Sequence, residues 1–183
     1  MDWTLPGTVL RLPREDISQA DTTLKAMFLA GDIALSQVVH ITGLEPHTVQ
    51  NWVRRGFLSP PQGKRYSMRQ LCRILLFNML KSAMSLEAIC KLISHINGSL
   101  TDESDDLIDD SQLYFLFVKL AAQARNLGDP ANWEQALDKA LQEYDEPIPG
   151  ARDRVETVLR IMLTAWIAAK MRCQTEQMLE NLT

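Results

Sequence analysis

Two helix-breaking residues at a short spacing constrain the fold of residues 35–66 more than any other feature of this chain. Gly43 follows a short apolar helical pattern that begins at Leu35, and glycine readily adopts the left-handed backbone that ends a helix. Pro46 comes three residues later, where proline suits the first turn of a new helix. Gly56 then marks the end of that second helix. The spacing predicts two short helices joined by a turn of a few residues.

The segment that follows predicts a short basic hairpin or loop. Residues 57–66 contain two prolines and one glycine, which are too many breakers for a helix. Lys64 and Arg65 lie near the end of this segment. Helical periodicity then resumes and continues, with one interruption before Ser85, as far as Gly98.

Positive charge is concentrated in this part of an otherwise acidic chain. Residues 1–98 hold 11 Lys and Arg against 7 Asp and Glu, whereas residues 99–183 hold 8 against 16. No acidic residue lies between Glu45 and Glu87. One-sided charge of this kind is typical of a surface that meets phosphates. The positive residues between the two glutamates are Arg54, Arg55, Lys64, Arg65, Arg69, Arg73 and Lys81.

The second helix of the pair has one apolar face and one polar face. Val49, Trp52 and Val53 are spaced to share a face, which we expect to pack on the first helix. The opposite face carries side chains that hydrogen-bond to base edges and phosphates. The alternative is an ordinary amphipathic helix with polar residues towards solvent. The polar side chains are His47, Thr48, Gln50, Asn51 and Arg54.

The second half of the chain reads as helical after an acidic run. Residues 101–110 hold six Asp and Glu and predict an exposed linker. Three helices are expected beyond it, over residues 112–126, 131–144 and 151–179. The last of these is apolar on more than one side, so it is either central to a bundle or shared with another subunit.

Three runs of the first half share a recognisable pattern: Leu35-Ser36-Gln37-Val38-Val39, Thr42-Gly43-Leu44-Glu45-Pro46-His47-Thr48-Val49, and Trp52-Val53-Arg54-Arg55-Gly56-Phe57-Leu58-Ser59-Pro60-Pro61. Together they resemble the amino-terminal half of MerR-type regulators, and especially a bacterial family of MerR-like proteins whose function is largely unassigned. The resemblance covers about half the chain. It implies a winged helix-turn-helix that binds operator DNA as a homodimer. The positions that it assigns to DNA contact are His47, Thr48, Gln50, Asn51, Arg54, Arg55, Lys64, Arg65 and Arg69.

We therefore expect an all-α protein with a short wing. Residues 1–98 are assigned to a MerR-like winged helix-turn-helix domain, residues 99–110 to an acidic linker, and residues 111–183 to a helical domain for dimerisation or effector binding. Double-stranded DNA and a second copy of the chain are the expected partners. Five aromatic residues of the second half either line an apolar effector pocket or serve as packing; they are Tyr114, Phe115, Phe117, Trp133 and Trp166.

No catalytic, metal or cofactor site is expected. The sequence contains no recognisable nucleophile or phosphate-loop motif. Cys72 and Cys90, with His95, are not spaced as metal ligands, and all three cysteines, including Cys173, are interpreted as reduced core residues. We expect neither a signal peptide nor a membrane span, which predicts a cytoplasmic protein.

The sequence thus predicts a dimeric DNA-binding transcriptional regulator whose operator occupancy is tuned by the helical half. A protein-protein adaptor that keeps the fold but binds a partner through its helices is the main alternative. A ligand sensor with incidental DNA contact is a third.

Overall fold

The computed structural model describes residues 2–13, 19–98, 104–123 and 130–182, which are mostly helical with two small sheets. Within these ranges no helix combines the length and the apolar character needed to cross a bilayer. Each sheet is an antiparallel pair of short strands: β1 (Asp2–Thr4) with β2 (Arg11–Pro13), and β3 (Ile33–Ala34) with β4 (Arg65–Tyr66). The α-helices are α1 (Ala20–Ala26), α2 (Leu35–Thr42), α3 (Pro46–Arg54), α4 (Met68–Leu80), α5 (Leu86–Asn97), α6 (Asp110–Gln123), α7 (Pro130–Ala140) and α8 (Ala151–Glu180), and a 3-10 turn (Leu141–Glu143) follows α7.

The predicted pair of short helices is present as α2 and α3. Gly43 has a φ of 68° and its N–H donates to the Val39 carbonyl at 2.8 Å, so it ends α2 in the left-handed conformation. A Cβ at Gly43 would also meet Val9 Cγ1 at 2.6 Å. Pro46 occupies the first turn of α3. The predicted turn between the helices is therefore confirmed.

Helix α4 is the central element of the core. It begins with a capping box, in which Ser67 Oγ accepts from the Gln70 N–H and the Gln70 side chain accepts from the Ser67 N–H. Most of its side chains are buried, since α4 packs against α2, α5, α6 and α8. Phe77 of α4 lies 5.8 Å from the Trp52 ring and 6.1 Å from the Phe57 ring, measured between centroids. The apolar face of α3 is therefore fixed on α4.

The amino-terminal hairpin is tied to the same core by hydrogen bonds. The Asn78 amide of α4 donates to the carbonyls of Gly7 and Thr42, at 2.9 and 3.0 Å. The buried Tyr114 hydroxyl donates to the Pro6 carbonyl at 2.8 Å. These bonds join the turn between β1 and β2 to the end of α2 and to α6. The Val9 N–H of this turn also donates to the Ile41 carbonyl of α2 at 3.0 Å, so the hairpin contacts the end of α2 directly.

The acidic run is exposed at Ser104 and Asp105 but is not an exposed linker over residues 106–110. Residues 101–103 lie outside the described ranges, but Asp110 is 1% exposed. Asp110 accepts from Arg73 Nη1 at 3.2 Å and from the Asn97 amide at 3.0 Å. Leu107 and Ile108 are buried in the shared core. The prediction of exposure is wrong here because arginines of α4 neutralise the carboxylates and apolar residues alternate with them.

All three cysteines are free thiols. Cys72 is buried in the core as predicted and Cys90 is half-buried against it, whereas Cys173 is exposed on α8. Burial raises the pKa of the Cys72 thiol well above its usual range, as expected for an inert core residue. Cys173 was misassigned because it follows the apolar spacing of α8 into a region where that helix no longer packs on the core.

Most of the aromatic residues of the second half serve as packing. Tyr114 and Phe117 are fully buried and Trp166 is nearly so. The rings of Phe117 and Trp166 meet edge to face at 5.9 Å. Phe115 and Trp133 are half-buried. The packing interpretation therefore applies to the three buried rings.

The buried pair of Arg73 and Asp110 predicts a large loss of stability when one partner is removed. Arg73→Met removes the nearer of the two arginines that neutralise the buried Asp110 carboxylate and leaves only Arg69, at 3.6 Å. It should lower the free energy of unfolding by up to about 3–5 kcal/mol. Arg73→Met combined with Asp110→Leu should recover part of that loss, because the poorly compensated buried carboxylate is then absent. Urea unfolding measures both changes. Arg160→Met, at a solvent-exposed ion pair, is the matched control and should change stability little; equal losses for the two single variants would contradict the prediction.

Candidate nucleic-acid interface

Helix α3 presents its polar face to solvent because its apolar face is fully used in packing. Val49 is 0% exposed and Trp52 is 3% exposed. His47, Gln50 and Arg54 are exposed on the rest of the helix surface, as the sequence predicts. Thr48 and Asn51 are half-buried. Three of the five residues assigned to base or phosphate contact on this helix are therefore exposed, and the other two are partly so.

Two of these side chains already interact with each other. Arg54 Nη2 donates to Asn51 Oδ1 at 2.8 Å. The bond holds the guanidinium along the helix, where its other N–H groups remain as potential donors to a guanine edge or a phosphate. This arrangement is chemically suited to binding a polar, anionic surface.

Arg55, which ends α3, is less available. Its Nη2 donates to Glu87 Oε1 at 2.6 Å, and its guanidinium lies 4.7 Å from the centre of the Phe57 ring. Both partners hold the side chain against the start of α5 and the segment after α3. Arg55 is exposed but locally neutralised, so its role at the surface is to orient this end of α3.

A tight hairpin places Lys64 and Arg65 at its tip. The Arg65 N–H donates to the Gln62 carbonyl at 2.8 Å, and the two central residues, Gly63 and Lys64, have φ values of 54° and 63°. Positive φ at both central residues is the signature of a type I′ turn. Arg65 Nη1 also donates to the Asp32 carbonyl at 2.8 Å. The hairpin is anchored because β4 pairs with β3, which leads directly into α2.

Gln70 holds the base of this hairpin, a role that the sequence did not indicate. Its amide nitrogen lies 3.0 Å from the Ser59 carbonyl, 3.1 Å from Ser59 Oγ and 3.1 Å from the Pro60 carbonyl. Its amide oxygen caps the Ser67 N–H at 3.0 Å. The Ser-x-x-Gln capping pattern is visible in the sequence, but the contacts to Ser59 and Pro60 arise only from tertiary packing. Gln70 therefore couples the start of α4 to the segment after α3.

Arg69 does not belong with the accessible cations. It forms an ion pair with Asp106 and lies 3.6 Å from carboxylate oxygens of Asp109 and Asp110. Only 21% of its side chain is exposed. Its assignment to DNA contact stays a prediction and requires Arg69 to leave these carboxylates, which already occupy the guanidinium as a phosphate would.

Burial dominates the titration of the carboxylates in this cluster. Desolvation raises the pKa of Asp110 above its ordinary value, against the opposing effect of Arg73 and Arg69. The pKa of Asp106 is also raised by desolvation, with Arg69 opposing it. The cluster thus consists of two arginines held among carboxylates, between α4 and the start of α6. We name Arg69, Arg73, Asp106, Asp109 and Asp110 the clamp, because their ion pairs hold α4 against the start of α6.

A cavity of about 450 Å³ lies between the hairpin base and α4. Its wall includes Pro61, Gln62 and Asp32 together with the buried Arg73–Asp110 pair. Within the described ranges, no three or more His, Cys, Asp or Glu residues come together in a way that could hold a metal ion. The candidate interface of α3 and the hairpin thus offers hydrogen-bonding and cationic groups that are suited to binding a polar, anionic surface.

Residues 14–117 match the family described as Domain of unknown function (DUF1836). This chain belongs to the DUF1836 family. The matched region includes α2, α3, the hairpin and α4, and it ends within α6. All of the residues considered above for nucleic-acid contact therefore lie inside the family region, whereas α7 and α8 lie outside it.

The chain is also similar to a Bacillus subtilis (strain 168) protein described as uncharacterized protein YkrK. The two are 30% identical over 118 residues, which is 62% of this chain and 51% of the relative. This chain thus matches about half of the relative's length. No solved structure matches the chain.

The contacts of Gln70 predict that the local stability of the hairpin depends on this side chain. Gln70→Ala removes the bonds that the Gln70 amide donates to Ser59 and Pro60. The segment of residues 57–66 should then open locally more often, so its amide hydrogens should exchange faster. Hydrogen-exchange mass spectrometry measures this locally. Ser85→Ala, which removes the cap of α5, is the control and should raise exchange at the start of α5 instead. Unchanged exchange in the hairpin of Gln70→Ala would show that the strands alone hold it.

Proposed function

We propose that this protein is a DNA-binding transcriptional regulator that acts in the bacterial cytoplasm. In this proposal α2 and α3 form a helix-turn-helix of the MerR type, and the hairpin of residues 57–66 is its short wing. Helix α3 lies in the major groove of operator DNA, while the tip of the wing meets the phosphate backbone. The protein binds its operator as a homodimer.

The exposed polar face of α3 is the observation that carries the proposal. A helix that packs one face on a neighbouring helix and offers His47, Gln50 and Arg54 outward has the side chains that read base edges. The amino terminus of α3 adds the positive end of the helix dipole, which favours a phosphate. Lys64 and Arg65 supply cations on a hairpin attached through β3 to the same helix pair.

The acidic character of the whole chain does not oppose this proposal. Charges separated by more than about 10 Å are largely screened at moderate salt, so the local field at α3 and the hairpin decides the encounter with DNA. The net charge of −4 is therefore a poor guide to the charge of this surface.

If the wing contacts phosphates, removal of its cation should change the salt dependence of DNA binding. Lys64→Asn removes the cation at the tip, and asparagine tolerates the left-handed backbone of that position. The slope of log affinity against log salt should fall by about one unit for the lost phosphate contact. Fluorescence anisotropy with a random-sequence duplex over a salt series measures this slope. Arg54→Ala should weaken binding in the same titration.

The matched control for the wing is Lys139→Asn, an exposed lysine of α7. It changes the net charge equally and should leave the salt slope unchanged. Equal slopes for Lys64→Asn and the unmodified protein would contradict DNA contact by the wing. Absence of salt-sensitive binding altogether would favour the protein-protein adaptor instead.

We expect substitution of Arg69 to change the stability of the protein and not its DNA binding, which is the opposite of what we expect for Lys64. Since its guanidinium is held by three carboxylates, Arg69→Gln should lower the free energy of unfolding but leave the salt slope of DNA binding unchanged. Urea unfolding and the anisotropy titration separate the two effects. A slope that falls by about one unit in Arg69→Gln would mean that Arg69 leaves the clamp to bind a phosphate.

A further inference from the structure

A second cavity, also of about 450 Å³, lies between the residues that precede α6, α6 itself and the segment after α7. A space of this size can hold a small organic molecule. Part of its wall comes from Leu107, Ile108 and Leu116, which are all buried in the core. This space, which we name the α6 cavity, therefore has an apolar floor.

Two aromatic rings extend the apolar part of the wall. Phe115 and Tyr144 both line the α6 cavity and are half-buried. The Tyr144 hydroxyl donates to the Leu107 carbonyl at 2.7 Å, which holds that ring in place. Lys25 Nζ lies 5.8 Å from the centre of the Phe115 ring, but Lys25 is not part of the cavity wall. The cavity thus offers aromatic surface, which attracts apolar groups and, at the ring face, cations.

The polar part of the wall is mainly acidic. Among the described residues, the charged side chains that line the cavity are Asp106, Asp109, Glu143 and Asp145, with Lys119 as the one cation. Lys119 pairs with Glu143. Arg69 of the clamp pairs with Asp106 and Asp109 but is not part of this wall. Even with Arg69 counted, four carboxylates are opposed by two cations, so the α6 cavity is electronegative.

This negative field reaches the aromatic part of the wall. Burial raises the pKa of Tyr144, and the charges of Glu146 and Asp145 raise it further. The same field would oppose an anion placed beside the ring.

Asp106 contributes an acceptor that has no donor. Its side chain is 8% exposed, and its Oδ2 accepts from Arg69. Its Oδ1 is buried and has no hydrogen-bond partner in the part of the chain that the structure describes. A buried carboxylate oxygen without a donor is costly. The wall therefore favours a ligand that brings an N–H group.

These features together select one class of ligand. The acidic wall repels an anion. A metal ion gains nothing from an apolar floor, and within the described ranges no group of three or more His, Cys, Asp or Glu residues could hold one. An organic ammonium supplies N–H donors and a positive charge to the carboxylates. Its apolar body gains from contact with the rings and the floor.

We propose that the α6 cavity binds a small organic cation, with its ammonium directed to Asp106 and its apolar body against Phe115, Tyr144 and the floor. Binding is argued from the cavity alone. Because Asp106 and Asp109 also belong to the clamp, the ligand lies against the residues that hold α4 to α6. Its use as an effector of DNA binding rests on the proposed function.

Isothermal titration calorimetry of the full chain with three probes of similar size tests the charge preference. The probes are 4-phenylbutylamine, 4-phenylbutanol and 4-phenylbutyrate near neutral pH, where the first is a cation and the last an anion. The amine should bind at least about tenfold more tightly than the alcohol, and the carboxylate should bind most weakly. Equal affinities for the amine and the alcohol, tighter binding of the carboxylate, or no binding of the amine at millimolar concentration would overturn the proposal.

Two variants with the same change of charge test the location. Gln112 is exposed on α6 and lines the cavity, so Gln112→Lys should weaken amine binding at least about tenfold and tighten carboxylate binding. Gln135→Lys adds the same charge on the exposed surface of α7, outside this cavity, and should leave the affinities unchanged. Equal effects of the two substitutions would place the probe elsewhere and contradict the proposal. Circular dichroism checks that both variants remain helical.

Phe115→Leu tests the aromatic wall. Leucine keeps an apolar side chain but removes the ring face, from which only the cation gains electrostatically. The substitution should therefore weaken binding of the amine more than binding of the alcohol. Equal weakening of both probes would show that the ring serves only as apolar packing, against the proposed cation site.

The outcomes separate this inference from the proposed function. A protein that prefers the amine but never binds duplex DNA would support the cation site and contradict the regulator. Salt-sensitive DNA binding by a protein that does not bind the amine would support DNA recognition and overturn the cation site.

Discussion

The burial of α4 is the constraint on which the rest of the structure depends. This helix is covered by α2, α5, α6 and α8, and Phe77 at its centre receives the rings of Trp52 and Phe57. The orientation of α3 follows from that contact, because the face that carries Trp52 cannot also meet solvent. The exposed polar face of α3 is therefore a consequence of core packing, in addition to the polarity of its residues.

Burial of α4 also requires its arginines to be neutralised. Arg73 is 4% exposed, and a charge at that depth persists only with a paired and hydrogen-bonded partner. Asp110 provides the partner, and Asn97 provides a further hydrogen bond. The acidic run after α5 thus completes the core around α4. It also takes Arg69 away from the surface proposed to meet DNA, so that surface is reduced mainly to α3 and the tip of the hairpin.

The sequence was sufficient to predict the elements that local rules determine. Gly43 and Pro46 act through their own backbone geometry, so the turn between α2 and α3 was predicted from two residues. The long α8 followed from periodicity sustained over many turns. Interactions between distant residues were not predictable in this way. Arg69 and Asp106 are 37 positions apart, and a count of local charge cannot reveal that one neutralises the other.

The same distinction applies to the small sheets and to the candidate site. Strands of two or three residues are too short to produce an alternating pattern, so the pairing of β1 with β2 had no sequence signal. Of the nine residues assigned to DNA contact, the structure engages Arg69 in the clamp with the carboxylates and Arg55 with Glu87. Five of the others are exposed and two, Thr48 and Asn51, are half-buried. Surface exposure was predictable where helix periodicity determines it, and not where tertiary contacts do.

Selection of bound sequences from a random duplex pool, by the purified protein at two salt concentrations, tests the central claim most directly. A sequence-reading α3 in a two-fold dimer predicts enrichment of one inverted repeat, with half-sites separated by about one helical turn, 34–36 Å, or a multiple of it. Enrichment should weaken as salt rises, because phosphate contacts release counterions. A pool that remains random at both salt concentrations would contradict the assignment of α3 as a reader of operator DNA.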